Sequence, residues 1–431
     1  MTPTSPPAVP STAPLADSTG DSPAARVRIS GPLRRLLYCL APATVGLYSV
    51  YGAVPGILLP LQVGALDEQH KAANLALVAT LGAFAAMIAQ PVAGALSDRT
   101  HSRFGRRAPW LVMCSVLGGL AMVGLALGNS LATIALAWMA AQIAYNFVQA
   151  PLTAVLPDRV PSAARGRFAS VIGGATMIGA LAGSGVASQF SDHLSTGYLA
   201  FAGLALIGVT VLVVLSPDTS SLGLPREPFR LLELLRSFWI SPRRHPDFAW
   251  AFLSRLLLYT GYFTVFGYML YLLQDYVGMS EDKAADMTPL VSVAGLPAIL
   301  VSIAVCGPLS DRIGRRKPFV FASSVLVAAG LVIPWMVPSV TGVMLCSVVS
   351  GLGFGAFQAV DTALMSEVLP SSESAAKDLG VVNIAATLPQ TVAPAVAGAI
   401  VVGVGYAGLF PVAAVLSVLG ACAVFPIKGV K

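Results

Sequence analysis

Apolar runs long enough to cross a bilayer dominate this chain. A spanning helix needs about 20 consecutive, mostly apolar residues. Twelve stretches qualify, roughly 36–62, 73–97, 109–127, 131–156, 166–189, 197–216, 248–274, 286–309, 318–336, 340–368, 378–402 and 404–426. In lipid each backbone N–H and C=O must be paired within its own segment, so such runs predict helices. The 431 residues are 56% hydrophobic and only 11% charged, with a mean hydropathy of +0.77. A soluble domain is excluded. The expectation is an all-α membrane protein with twelve transmembrane helices, and its many Gly and Ala residues suit helices that pack closely through small side chains.

The first residues are different. "MTPTSPPAVPSTAPLADSTGDSPAA" is rich in Pro, Ser, Thr and Ala and cannot bury a core. It reads as a disordered tail over 1–32, not as a signal peptide, because no short apolar core with a cleavage site stands there. Five cysteines, Cys39, Cys114, Cys306, Cys346 and Cys422, fall in or beside apolar runs at no metal-binding spacing. They read as small buried hydrophobes.

Charge gives an orientation. With the N-terminus inside, only Lys71 and Lys283 of the 26 basic residues fall outside. This positive-inside pattern places both termini in the cytoplasm and accounts for the net charge of +6 without any nucleic-acid partner. The longest loop, 217–247, divides an N-terminal bundle at 33–216 from a C-terminal bundle at 248–426, followed by a cytoplasmic end at 427–431.

The two halves repeat each other. "GALSDRTHSRFGRRAPW" at 94–110 joins segments 2 and 3, and "GPLSDRIGRRKPF" at 307–319 joins segments 8 and 9. "FVQAPLTAVLPDRVP" ends segment 4 and "FQAVDTALMSEVLP" ends segment 10, aligning Gln149 with Gln358 and Asp158 with Glu367. Such duplication is the architecture of a transporter whose substrate site lies between two halves near mid-membrane.

With these motifs the chain resembles the major facilitator superfamily, whose signature is G-x-x-x-D-R-x-G-R-R/K between helices 2 and 3. The second copy matches through Gly307, Asp311, Arg312, Gly314, Arg315 and Arg316. The first has Gly94, Asp98 and Arg99, then an insert before Gly105, Arg106 and Arg107. That longer form is similar to the loop of sucrose–proton symporters and of glycoside–pentoside–hexuronide cation symporters. "AYNFVQAPLTAVLPD" also resembles the helix 4 region of the sucrose branch. The resemblance spans all twelve segments and implies two pseudo-symmetric six-helix bundles, the major facilitator fold.

The clustered charge has a physical reading. Gly94 and Gly307 let helices approach closely. Asp98 and Asp311 suit a neighbouring helix N-terminus, and the arginines offer bidentate bonds to carboxylates. Asp158 and Glu367 are their natural partners. By resemblance the set forms a cytoplasmic gate, comprising Gly94, Asp98, Arg99, Arg106, Arg107, Asp158, Gly307, Asp311, Arg312, Arg315, Arg316 and Glu367. It latches when the protein faces outward and breaks when it faces inward. Topogenic charge alone would need the arginines but not the Gly and Asp spacing.

In the superfamily, helices 1, 4, 7 and 10 line the central path. Segment 4 carries Gln142, Tyr145, Asn146 and Gln149 at i, i+3, i+4 and i+7, a polar stripe on one face. Amides facing lipid are costly, so the stripe faces the cavity or another helix. Segment 7 offers Tyr259, Tyr262, Phe263, Phe266 and Tyr271; segment 1 offers Tyr48 and Tyr51. Gln358 and Asn383 add amides on segments 10 and 11, where Gln390 also lies. Amides with aromatic rings suit a sugar, whose hydroxyls need hydrogen bonds and whose apolar face stacks on rings; they also suit a polycyclic drug or plain interhelical packing.

The familiar coupling acids are missing. Gln142 stands where the sucrose branch has an acid, and Gln90 precedes Pro91 where the glycoside branch has one. The Gly-Pro motif of drug antiporters is also absent from "GGATMIGALAGSGVA". The ionisable residues deepest in apolar runs are Arg255, seven residues into segment 7, and Asp361, eight before the end of segment 10. Both lie ~10–12 Å from the cytoplasmic end. They are expected to pair, since an unpaired charge there is expensive. They are the proton-coupling candidates, with Asp361 taking up a proton when the pair opens.

The expected function is a secondary active transporter of the inner or plasma membrane, taking up a sugar or glycoside with a proton or another cation. The alternatives are efflux of an amphipathic drug-like compound and a membrane receptor that does not translocate its ligand. An enzyme is not expected: no Ser-His-Asp set, phosphate loop or metal cluster appears, and His70, His101, His193 and His245 lie in loops. A monomer without cofactor or metal is expected, its partners being substrate, cation and the bilayer.

Overall fold

The computed structural model describes residues 31–223, 243, 245–368 and 375–428, and of these the side chains of 162, 163, 362, 366 and 375–386 lie outside the description. The expected tail at 1–32, except its last two residues, and most of the 217–247 loop lie outside the described residues, as does the side chain of Asn383. Every described regular element is helical.

Each of the twelve runs coincides with a helix. They are α1 (Gly31–Leu66), α2 (Lys71–Asp98), α3 (Ala108–Ala126), α4 (Leu131–Arg159), α5 (Ser162–Ala187), α6 (Leu194–Leu215), α7 (Pro246–Tyr276), α8 (Glu281–Ile313), α9 (Lys317–Met336), α10 (Val340–Val368), α11 (Ala375–Val404) and α12 (Leu409–Cys422). By length and composition, nine described helices qualify as membrane spans, or ten with the bent α7. One of the nine is the 52-residue run Ala164–Leu215, which breaks at non-helical Phe190 into α5 and α6; α12 is a shorter apolar helix.

Helix breaks follow local chemistry. In α1, Pro55 lacks an N–H, and the helix widens to a π-turn over Val54–Leu58. In α7 the axis bends 47° between Phe266 and Met269, where Gly267 N–H closes on Phe263 O.

Packing repeats between halves. The pairs α1–α5, α1–α6, α2–α4, α3–α4 and α3–α6 recur as α7–α11, α7–α12, α8–α10, α9–α10 and α9–α12. Both copies rest on small residues: a Cβ on Gly183 would lie 2.3 Å from the Ser49 carbonyl oxygen of α1, and one on Gly355 of α10 2.4 Å from Ile299 O of α8. The halves meet through α2–α11 and α5–α8. The connections α2–α3 and α8–α9 lie on one side, the basic face, and the loops after α1 and α7 on the opposite face.

Candidate functional site

A cavity of about 800 Å³ lies between the halves. From the N-terminal half it takes Tyr48 and Tyr51 of α1, Gln90 of α2, and Trp138, Gln142, Asn146 and Gln149 of α4. Phe263, Phe266 and Tyr268 of α7 and Thr391 of α11 line it from the other half. The amide wall is held by its own bonds. Asn146 Nδ2 donates to Gln142 O at 2.8 Å, and Gln149 Nε2 to Tyr48 Oη at 3.2 Å. The Tyr51 hydroxyl is buried with no partner among the described residues, so a ligand hydroxyl reaching it replaces an unmet bond.

Three of the four α4 stripe residues thus line the cavity, and Tyr145 does not. It is fully buried, its ring against Gly118 of α3. At 100° per residue, i+3 sits about 60° from Gln142 on the α3 side, whereas i+4 and i+7 stay nearer the cavity. Tyr259 and Tyr262 are likewise displaced from the lining. The Tyr262 ring stacks between Phe266 and Phe354 at 4.3 and 4.2 Å, and Tyr259 packs on Phe263, Phe354 and Phe357. The apolar environment of α10 draws these rings behind the wall, and Phe263 and Phe266 face the cavity instead. Gln358 is exposed and outside the lining. Sequence reasoning left out Gln90 and Trp138 as cavity residues, although Trp138 stands one turn before Gln142 on the same stripe.

Behind the aromatic wall, Arg255 Nε lies 2.7 Å from Asp361 Oδ2, with both side chains almost fully buried. The guanidinium also sits 5.6 Å from the Tyr259 ring centre. The contact lacks hydrogen-bond alignment, and neither carboxylate oxygen has another partner among the described residues. Such a pair holds two desolvated charges with little else to compensate them.

On the basic face the motif copies build the same cluster twice. Arg107 donates through Nε to Asp158 at 2.9 Å and through Nη1 to Ser97 Oγ at 2.6 Å, and pairs with Asp98 at 2.5 Å. Arg316 donates through Nε to Glu367 at 3.0 Å, and through Nη1 to Asp311 at 2.6 Å and Ser310 Oγ at 3.4 Å. The carboxylates, Asp311 first, hold the Arg316 guanidinium above its ordinary range. Arg106 reaches Asp158 at 3.3 Å, and Arg99 Nη1 bonds Ala95 O of its own helix; no ion pair of Arg312 or Arg315 is among those described. Each of these ion pairs of Arg106, Arg107 and Arg316 closes within one half.

Among the described residues the expected close approach at Gly94 does not occur: no neighbouring atom lies within 4 Å of a Cβ there, and at Gly307 the nearest, on Ala359, is 3.8 Å away. Ser221 lies at the start of the 217–247 loop. It is buried, its hydroxyl donating to Thr100 O at 2.9 Å and accepting from Ser102 N at 3.0 Å. The insert in the first motif copy grips the start of the long loop.

On the opposite face, bridges cross between the halves. Lys71 Nζ meets Asp275 Oδ1 at 2.8 Å. Tyr271 Oη donates to Pro60 O at 2.7 Å, and Tyr268 Oη to Ala72 O at 2.9 Å. The cavity is closed on that side.

A family model described as MFS/sugar transport protein matches residues 68–419. No curated protein matches the sequence. Among solved structures, a D-xylose-proton symporter is similar at 17% identity and a TM-score of 0.64, over 92% of this chain and 97% of that one. The nucleoside transporter NupG, in a point-mutant form, is similar at 15% identity and a TM-score of 0.74, over 91% of this chain and 99% of that one. At these identities the likeness is one of fold.

Proposed function

This chain belongs to the MFS/sugar transport protein family, and on that premise we propose that it takes up a sugar or glycoside together with a proton. It is a multi-pass membrane transporter and not an enzyme. The basic face is cytoplasmic in this reading, as the positive-inside pattern favours.

The observation that carries the substrate class is the two-sided cavity. Gln90, Gln142, Asn146, Gln149 and the unmet Tyr51 hydroxyl supply hydrogen-bonding groups, and Phe263 and Phe266 supply aromatic surface from the other half. A sugar presents both chemistries. The aromatic wall also favours a second reading, efflux of an amphipathic compound. Counterflow in proteoliposomes against sugars, glycosides and hydrophobic amines separates the two; exchange of amines and of no sugar overturns uptake of a sugar.

Asp361 is the coupling residue of this proposal. It is buried beside one cation, in a pair short of hydrogen bonds, so opening the pair favours protonation over a bare carboxylate. Asp361→Asn is expected to abolish accumulation against a gradient while leaving substrate exchange within about twofold of the parent. A mutant that still accumulates substrate with normal pH dependence removes Asp361 from coupling. In this reading the clusters around Arg107 and Arg316 lie at the cytoplasmic rim without latching the two halves together. Since their ion pairs close within each half while the opposite face is shut, we assign them the shaping of each half's rim.

A further inference from the structure

We infer that a recess at the basic face, between the ends of α1, α4 and α6, binds the phosphodiester of an anionic glycerophospholipid. Its volume is about 280 Å³, and Gly31, Pro32, Arg35, Arg159, Leu215, Ser216 and Pro217 line it.

Among the described residues no acid pairs with its arginines. Arg159, half-buried in the last turn of α4, donates through Nη1 to Ser216 O at 2.9 Å, and through Nη2 to Ser216 Oγ and Pro217 O at 3.1 Å. These bonds fix the guanidinium on neutral groups and leave two of its N–H donors unused. Asp158 next to it is committed to Arg106 and Arg107. Arg35 is exposed, and among the described residues neither it nor Arg159 has an ion pair. Two guanidiniums around one recess, one held in place, suit a phosphate oxyanion.

A second observation points to a lipid. Leu204, Ile207, Val211, Val214 and Leu215 form one stripe along α6, and all but the half-buried Val211 are exposed. The stripe ends at Leu215, in the recess. An acyl chain lying along it places its headgroup between the two arginines. Tyr38, 70% exposed, lies one turn beyond Arg35 on α1, where an amphipathic ring suits the interface. Basic pockets between helix ends on this side of a membrane hold anionic headgroups by the same physics.

The test uses the full chain in detergent, with thermal unfolding read after adding dioleoylphosphatidylglycerol, dioleoylphosphatidylcholine or inorganic phosphate. Binding to the folded state raises the midpoint. Phosphatidylglycerol is expected to raise it by at least about 2 °C in the parent and in Arg103→Gln, a charge-matched control on the same face but outside the recess. Phosphatidylcholine and inorganic phosphate should do neither. Arg35→Gln breaks no described contact, so it should fold and lose the shift; Arg159→Lys should keep the charge and lose most of the shift with the fork geometry. An equal phosphatidylglycerol shift in Arg35→Gln overturns the site. A shift from inorganic phosphate matching that of phosphatidylglycerol overturns the lipid and leaves a simple anion site.

Discussion

Two residues that look alike in sequence differ sharply in their surroundings. Arg106 and Arg107 are adjacent arginines in one motif. Arg107 is nearly buried and joins Ser97, Asp98 and Asp158, whereas Arg106 is one-third exposed with a single 3.3 Å contact. Removing one partner of a buried charged network leaves the others unpaired. Arg107→Ala is therefore expected to destabilise the protein by about 1–3 kcal/mol. Arg106→Ala, and Arg316→Ala at the more open second cluster, should cost about 1 kcal/mol or less. Thermal unfolding of the three purified variants checks the order. The same helical register governs the cavity: Gln142, Asn146 and Gln149 point inward, and Tyr145, between them in sequence, falls to the α3 side.

Among elements, the connection after α6 departs most from what its composition suggests. A long polar connection reads as exposed, yet Ser221 pairs with Thr100 and Ser102 across the base of the N-terminal half. Gly105 shares this contact: its φ of +88° suits glycine, and a Cβ there would lie 2.5 Å from Asp218. The insert that separates the first motif copy from the second thus works as a clasp. Limited proteolysis should spare 216–221 in the parent, and Ser221→Ala should make this stretch cleavable. Equal protection of the two proteins removes the clasp.

The whole molecule is closed on one face by contacts made by the far end of α7 with α1 and α2. The 47° bend at Gly267 carries Tyr268, Tyr271 and Asp275 onto the other half. Opening that face must break the Lys71–Asp275 pair, which is partly shielded and worth about 1 kcal/mol. Lys71→Ala or Asp275→Asn is expected to raise the open population by about fivefold. A single cysteine at Leu75, in the cavity wall, should then react several-fold faster with a membrane-impermeant thiol reagent added at that face. An unchanged rate shows that the Lys71–Asp275 pair does not hold the closure.

Spans, repeat and motif clusters were legible in the sequence because each depends on local chemistry. A bilayer demands about 20 apolar residues per crossing whatever the neighbours. A duplicated gene keeps its spacing, so Asp158 and Glu367 could be aligned before any coordinates. The pairing of Arg255 with Asp361 was approachable for the same reason: equal depth in two apolar runs leaves few other partners. What only the tertiary structure decided is which side of each helix meets which neighbour. Helix rotation about its own axis is set by the packing of small residues such as Gly183 against Ser49, not by hydropathy, and a shift of about 60° moves a tyrosine from cavity to core. That is why the cavity took Phe263 and Phe266 in place of Tyr259 and Tyr262, and why Ser221 could be placed in contact with Thr100 only once the chain was folded.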